Sequence, residues 1–450
     1  MSPAKDQEYF SDGLSENLID LFAKVPSLKV VGRTSSFSFK GKNEDLRTIG
    51  KALNVAYVLE GSIQKDGDNL RITAQLIRTL DGIHVWSDKY DRKLKDIFSV
   101  QDEISQAILG EIKIKLLGSD KEAVLKKYTD NIEAYQLYLQ GKYWFNQFSP
   151  DAFTKAIDYF QAAIKLDPNY ALAYAGMSYC YLDSWTMFSF PKEQSLVPAL
   201  AAAQKALALD DQLAESHIAV GRLKFWYEWD FVQAGIEFQK AIEISPNNVE
   251  GNNQLGAWNM LMGNYSEGHK YIEKAVSLDP LSVTLLIYSG GRYPWEGDYQ
   301  KIAYYGTRLK ALNSPVSIYY GNIFIAWGHF GLGKYKEAIA ECESLLKSGN
   351  NNGLLALMGT AYASKGETSK ALEVLEKLKK ITGAQDCPNY HIAQVYAGLH
   401  QWDQFNQYYQ KAIELGEHRV LYLKSDIRHY FPERLQDPEI QKLIQKIGLP

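Results

Sequence analysis

The sequence predicts a mainly α-helical protein, in which a small α+β domain with an antiparallel β meander precedes a superhelical array of α-α helix pairs. Between Leu70 and Leu76 hydrophobic residues alternate with polar ones, which indicates a half-buried strand. Further along, one pattern of small and aromatic residues recurs at intervals of 35 and 34 residues, which indicates repeats. With 46% hydrophobic and 23% charged residues, the 450-residue chain has a globular composition and room for two or three domains.

Composition also excludes several kinds of partner. The formal net charge of −4 gives no general electrostatic reason to bind nucleic acid or anionic lipid, so we expect no nucleic acid partner for this chain itself. No apolar run approaches the roughly 18 residues of a membrane span, and the polar residues 1–10 are not a signal peptide. We therefore expect a cytoplasmic protein, or a periplasmic one if a longer gene product carries a membrane anchor.

The three cysteines give no sign of chemistry. Cys180, Cys342 and Cys387 are far apart, odd in number and without the paired spacing of a zinc or redox motif. Each lies among apolar residues in helical sequence, where free cysteine behaves as a small hydrophobic residue. They are predicted to be packing residues.

The first predicted element is an amphipathic helix. Leu14, Leu18 and Phe22 fall on one helical face, and Pro26 ends the helix. A short strand is expected over residues 28–33, and a second helix over residues 44–53.

A three-stranded meander is expected next. The pairs Asp66-Gly67 and Asp81-Gly82 are typical of hairpin turns, because Asp-Gly readily supplies the positive φ that such turns require. A helix then closes the domain, with Ile97 on its buried face. The predicted strands cover residues 55–64, 69–80 and 83–92, and the predicted helix covers residues 97–117.

The third predicted strand carries a cluster of polar and aromatic residues that has two interpretations. It could form a metal or sugar site, or it could line the outer face of an exposed strand. We favour the second interpretation, because antiparallel sheets usually leave one face in water. The cluster consists of His84, Trp86, Asp88, Tyr90 and Asp91.

Four stretches of this first part carry a family resemblance: YFSDGLSENLIDLFAKV, VVGRTSSFSFKGKN, YVLEGSIQKDGDNLRITAQLI and HVWSDKYDR. Together they make nearly all of residues 7–113 resemble the TolB amino-terminal-like domain of bacterial regulatory proteins. In that family a strand precedes the first helix, whereas this chain begins in the loop that follows that strand. The resemblance implies a sheet without its first strand. We therefore expect Met1 to be an internal methionine of a longer gene product, larger than 51.0 kDa.

The second part of the chain repeats a pattern of small, aromatic and helix-ending residues. Small residues let two helices approach closely, the aromatic fills the space between them, and proline ends the second helix. Such a pair cannot bury its own apolar face and stacks on its neighbours. The pattern occurs at Ala156, Phe160, Ala163 and Pro168, then at Ala199, Ala203, Ala206 and Asp211, then at Ala234, Phe238, Ala241 and Pro246, and at Gly268, Ile272, Ala275 and Pro280.

This pattern resembles the tetratricopeptide repeat (TPR). Two stretches further resemble TPR arrays fused behind TolB-like domains: FWYEWDFVQAGIEFQKAIEISPNN and YLKSDIRHYFPERLQDPEIQKLIQKIGLP. The second stretch resembles the terminal cap of such arrays. We expect about eight units, of which the fifth departs from the pattern with Pro294 and a weak second helix. The expected organisation is an α+β domain at residues 1–117, a linker at 118–130, TPR units at 131–417 and a capping segment at 418–450.

The TPR resemblance implies a concave groove lined by the first helix of each pair. Aromatic side chains there offer a large contact area, and asparagine can bond a peptide backbone. Basic residues that would clamp a free carboxylate are not evident, which disfavours recognition of a free C-terminus. The predicted partner-binding residues are Trp226, Asn253, Asn259, Tyr320, Trp327, Tyr390 and Gln394.

No motif for catalysis, a cofactor or a metal ion is found: the sequence lacks a nucleophile elbow, a P-loop, a zinc-protease motif and a kinase signature set. We therefore expect a non-enzymatic interaction or scaffold module in bacterial signalling or transcription regulation. Its groove would bind a protein or peptide, and its α+β domain would dock, sense or form a homodimer.

Two alternatives stay open. One is the regulatory tail of a nucleotide cyclase or protein kinase polypeptide whose catalytic domain is absent here, and the other is a cell-envelope assembly protein.

Overall fold

The computed structural model describes residues 8–112, 126–188, 190–347, 349, 351–380 and 387–450. The chain divides into two compact units. The first contains Met1–Leu223, Ile236–Asn252 and Ser277–Pro280, and the second contains Lys224–Gly235, Asn253–Val276 and Leu281–Pro450. The loop predicted at residues 1–7, the end of the predicted helix 97–117 and most of the predicted linker lie outside the described residues.

The first unit begins with an α+β part. Asp45 starts its third helix by accepting a hydrogen bond from the backbone N–H of Arg47, the usual role of an N-cap carboxylate. The elements are α1 (Glu8–Ala23), α2 (Arg33–Phe37), α3 (Leu46–Leu53), β1 (Tyr57–Asp66), β2 (Asn69–Arg78), β3 (His84–Lys93) and α4 (Ile97–Glu111).

The strands form one antiparallel sheet in the order β1-β2-β3, which confirms the predicted meander. The first hairpin runs from Tyr57 opposite Arg78 to Asp66 opposite Asn69, and Gly67 in its turn has a φ of +55°. The predicted alternation in β2 is confirmed as well, and its buried face packs in one core with α1 and α4. The residues of that face are Leu70, Ile72, Ala74 and Leu76.

The strand predicted over residues 28–33 is wrong. The segment lacks regular structure as far as Gly32, and α2 begins at Arg33. Gly32 N donates to Leu278 O at 2.6 Å, and Asn247 Nδ2 donates to Leu28 O at 2.9 Å. Because these partners satisfy the backbone, the segment needs no neighbouring strand.

The polar cluster on β3 does not form a single solvated face. His84 and Asp88 are exposed, as we expected. Tyr90, which shares their face by strand alternation, is only 5% exposed and belongs to the core of the α+β part. The sheet therefore buries one end of this face.

After the α+β part the chain continues as consecutive helix pairs of the TPR type. The π-helical turn Lys224–Glu228 follows the first helix of the third pair. The helices of the first four pairs are α5 (Ile132–Phe145) with α6 (Pro150–Leu166), α7 (Ala171–Phe188) with α8 (Lys192–Leu209), α9 (Ala214–Leu223) with α10 (Phe231–Ile244), and α11 (Val249–Leu261) with α12 (Tyr265–Leu278).

Phe160 shows why the repeat pattern needs small residues. Its ring is 1% exposed and lies against glycines of α5 and α7. A Cβ atom added at Gly141 would lie 2.5 Å from the ring, and one added at Gly176 would lie 2.7 Å from it. The predicted role of small residues and an aromatic in helix packing is therefore confirmed for this pair.

The remaining pairs belong to the second unit. The fifth pair does depart from the pattern, but the prediction of a weak second helix is wrong. Its second helix has 13 residues, whereas its first has only 8. A 3₁₀ turn that contains Pro294 lies between the two helices. These pairs are α13 (Val283–Gly290) with α14 (Tyr299–Ala311), α15 (Pro315–Gly331) with α16 (Tyr335–Leu346), α17 (Asn352–Ser364) with α18 (Thr368–Lys379), and α19 (Pro388–Gly398) with α20 (Trp402–Glu414).

The second unit ends in a C-terminal segment of short helices. A 3₁₀ helix, His418–Tyr422, leads into α21 (Leu423–Tyr430), and a second, Pro432–Arg434, precedes α22 (Pro438–Ile447). The buried face of α22 carries Ile440, Leu443, Ile444 and Ile447. None of the helices in the described part of the chain is both long and apolar enough to cross a membrane.

The cysteines are packing residues, as predicted. All three are buried, and none of them is in a disulfide. Burial raises the pKa of Cys342 to about 12 and raises that of Cys180 as well, so both thiols stay protonated near neutral pH.

Candidate partner-binding surface

All seven predicted partner-binding residues lie in the second unit, but they do not form one continuous set. Two of the predicted aromatic residues are on α15, the first helix of its pair. Tyr320 and Trp327 are seven positions apart, which places them on one face of that helix two turns apart, and both are half-buried. This face offers two large aromatic side chains that are partly open to solvent.

Trp226 lies in the π-helical turn and is half-buried. Its indole Nε1 donates to Gln254 Oε1 at 3.4 Å, and the guanidinium of Arg292 lies 5.1 Å from the centre of its ring. Both contacts hold the indole in place, and they leave part of the ring accessible.

The two asparagines of α11 are buried. Asn253 is fully buried, and neither Oδ1 nor Nδ2 has a hydrogen-bond partner among the described residues. Asn259 is 7% exposed, and its Nδ2 donates to Leu255 O in the preceding turn of the helix. A partner would reach either side chain only after a local rearrangement, so their role in binding stays a prediction.

The structure brings Tyr390 and Gln394 together in a polar cluster of α19 and α21. Tyr390 Oη donates to Asp426 Oδ2 at 2.7 Å, and Gln394 Nε2 donates to Tyr390 Oη at 2.8 Å. Burial raises the pKa of Asp426 to about 7, although the hydrogen bonds that Tyr390 and Gln394 each donate to its carboxylate, and the charge of Arg419, oppose the shift. This cluster is therefore an internal link between the last helix pair and the C-terminal segment.

The C-terminal segment also bonds to earlier helix pairs of the second unit. Tyr422 Oη donates to Gly291 O at 2.8 Å, and Tyr430 Oη donates to Tyr299 Oη at 2.6 Å. The segment therefore contacts the end of α13 and the start of α14.

Sequence reasoning missed Asp426 and its neighbours. Asp426 lies 36 positions from Tyr390 and in an unrelated motif, so no periodic pattern connects the two residues. The available signal was weaker: an acidic residue on a short helix in the sequence that resembles a terminal cap. In the described part of the chain, no group of three or more His, Cys, Asp or Glu residues is placed to hold a metal ion.

Two curated relatives match about half of the chain. The protein named "Putative adenylate cyclase 3" of Rhizobium meliloti (strain 1021) is 34% identical over 227 residues, which are 50% of this chain and 39% of that protein. The "Transcriptional regulator HilA" of Salmonella typhimurium is 22% identical over 239 residues, which are 53% of this chain and 42% of that protein. The chain therefore spans about two fifths of the length of these relatives.

Solved structures with similar helix pairs include a tetratricopeptide repeat protein from Parabacteroides merdae, which is 12% identical in sequence. The alignment covers 70% of this chain and 99% of that one, with a TM-score of 0.31. Another is pilF of Pseudomonas aeruginosa, which is 14% identical in sequence. That alignment covers 52% of this chain and 98% of the other, with a TM-score of 0.32. No protein-family model matches the chain.

Proposed function

We propose that this chain is a non-enzymatic interaction module whose TPR array binds a protein or peptide partner in bacterial signalling or transcription regulation. The α+β part would act as a TolB-like domain that docks, senses or forms a homodimer. The proposal is supported by the consecutive helix pairs, a scaffold on which side chains vary while the backbone stays constant. The described relatives include a protein named as a transcriptional regulator, which fits a regulatory role.

The observation that carries the proposal is the aromatic face of α15. Tyr320 and Trp327 are both half-buried, so each ring is anchored in the protein and still presents surface. Tyrosine and tryptophan are enriched among the residues that dominate binding energy in interfaces. We therefore assign the main partner contact to these two side chains, and a lesser one to Trp226.

The test is capture of partners by the immobilised full chain from a lysate of the source cells. We expect a specific protein to be retained by the wild type and lost from the double variant Tyr320→Ala, Trp327→Ala. The variant Tyr304→Ala is the matched control, because Tyr304 is 53% exposed on α14 and lies outside the proposed contact. Equal recovery of the same protein by wild type and double variant would contradict the assignment.

A second candidate function is that of a regulatory tail attached to a nucleotide cyclase. One observation favours it: the relative named as an adenylate cyclase is 34% identical to half of this chain, and that half covers 39% of the relative. The test is the reading frame upstream of the Met1 codon in the source genome. In-frame codons for a cyclase or kinase domain would support this candidate, and a stop codon directly upstream would reject it.

A further inference from the structure

His217 is a buried histidine in the third helix pair, and it is not among the seven predicted partner-binding residues. It lies on α9 and is 3% exposed. Its ring Nδ1 lies 2.6 Å from Glu237 Oε2 on α10, and its ring Nε2 lies 2.8 Å from Asp211 O in the loop between α8 and α9. All three residues belong to the first unit. Both ring nitrogens therefore face oxygen atoms of other elements.

These two oxygens decide how many protons the site holds. A backbone carbonyl only accepts hydrogen bonds, and so does an ionised carboxylate, whereas a neutral imidazole carries a single N–H. A neutral ring beside an ionised Glu237 would therefore leave one lone pair of the ring facing a lone pair of an oxygen. Both contacts are satisfied when the His217–Glu237 pair holds one more proton, either as imidazolium and carboxylate or as neutral ring and carboxylic acid.

The burial of the ring and the charges around it act in opposite directions. Burial lowers the pKa of His217, and the positive charge of Lys240 on α10 lowers it further. The hydrogen bonds to Glu237 and to Asp211 O, together with the negative charge of Glu237, outweigh these effects, so the pKa of His217 lies above its ordinary value of 6.5. The pair therefore keeps its extra proton at pH values at which a free histidine has lost it.

Charged side chains next to this site have other partners. Asp210, in the same loop, accepts a hydrogen bond from Lys126 Nζ at 2.8 Å. The loop is thus held by Lys126 at one residue and by His217 at the next. Two further charged residues of α9 also bond elsewhere, namely Glu215 with Asn248 and Arg222 with Asp183.

We propose that the His217–Glu237 pair is a pH-sensitive latch, which holds α10 and the loop at residues 210–213 against α9 and releases them when its extra proton is lost. The stability that the latch contributes is fully present below about pH 6.5, where the histidine of an unfolded chain is protonated as well. It is lost as the pH rises through the pKa of the folded pair. Alkaline pH should therefore loosen the third helix pair.

The test is amide hydrogen exchange of the full chain between pH 7 and pH 9, with rates expressed as protection relative to an unstructured chain at the same pH. We expect protection over residues 210–223, the loop and α9, to fall as the pH rises. The fall should be at most about tenfold per pH unit, because one proton is involved. No fall in the wild type would overturn the proposal.

The variant Glu237→Gln separates the latch from other effects of alkaline pH. Its side-chain amide can donate to Nδ1 of a neutral ring, while the Nε2–H of that ring donates to Asp211 O, so both hydrogen bonds persist without the extra proton. Protection over residues 210–223 should then stay constant between pH 7 and pH 9. A fall as steep as that of the wild type would overturn the proposal.

His269 supplies the matched control, since its ring Nε2 bonds to Glu296 Oε2 at 2.7 Å and its side chain is 32% exposed. His269→Gln should leave the pH dependence over residues 210–223 unchanged, and loss of that dependence would count against the latch. A magnetic resonance titration of labelled histidines measures the proton directly. The ring signal that is missing from His217→Gln should titrate above pH 6.5 in the wild type, and titration below that value would overturn the proposal.

Discussion

A buried carboxyl group, that of Asp426, links the last helix pair of the array to the C-terminal segment. Burial raises its pKa from 3.8 to about 7. Between these two values the folded protein holds a proton that the unfolded chain has released. The stability contributed by the protonated group is therefore fully present below about pH 4 and is lost as the pH rises towards 7.

Replacing Asp426 should remove this dependence on pH. Asp426→Asn keeps an oxygen for Tyr390 and Gln394 and removes the ionisable group. We expect the free energy of unfolding at pH 8 to increase by about 1–3 kcal/mol over the wild type, with little difference at pH 4. Urea denaturation at both pH values measures this. Glu433→Gln, an exposed change in the same segment, is the control. A variant that loses stability at pH 8 would show that the ionised carboxylate, not the protonated group, holds the cluster together.

At the scale of elements, the packing of α5 on α6 and α7 depends on the space that Gly141 leaves for Phe160. Gly141→Ala would place a methyl group 2.5 Å from the ring. We expect this substitution to lower the free energy of unfolding, measured by chemical denaturation, by about 1–3 kcal/mol. The loss is expected although alanine has a higher helix propensity than glycine.

The matched control for this prediction is Gly110→Ala in α4, where no atom of the described residues lies within 4 Å of the added methyl group. That change should stabilise the protein by about 0.5–1 kcal/mol, because helix propensity acts alone there. If both variants change stability in the same direction, close helix packing is not what selects glycine at position 141.

The attachment of α2 to the first unit depends on Asp279. Its carboxylate Oδ1 accepts a hydrogen bond from Ser35 N at 2.7 Å, and the residue is 6% exposed. Asp279→Ala leaves this donor without its partner and should cost about 1–3 kcal/mol, whereas Asp279→Asn keeps the acceptor and should cost less. Amide hydrogen exchange over α2 measures the effect locally. Equal loss of protection in both variants would show that the charge, not the acceptor, holds α2.

Local patterns predicted those elements whose neighbours are close in sequence. The alternation in β2 and the turn at Gly67 suffice for the meander, because each strand pairs with the next one along the chain. The segment at 28–33 was misassigned for the opposite reason. Its valines favour a strand, but its backbone bonds to Asn247 and Leu278, which no local pattern reveals.

At the scale of the whole molecule, the sequence predicted the helix pairs, but it did not predict how deeply the proposed partner-binding residues are buried. Tyr320 and Trp327 are seven positions apart and so lie on one face of α15. The depth of a side chain, however, depends on how neighbouring helices pack, so the burial of Asn253 and Tyr390 was not predictable.

The central claim, that the array binds a protein partner through the aromatic face of α15, is tested most directly by hydrogen–deuterium exchange of the full chain with and without its captured partner. We predict that the partner slows exchange in Pro315–Gly331, and that the double variant Tyr320→Ala, Trp327→Ala shows no such protection. Protection confined to other helices, with exchange in α15 unchanged at saturating partner, would contradict the claim.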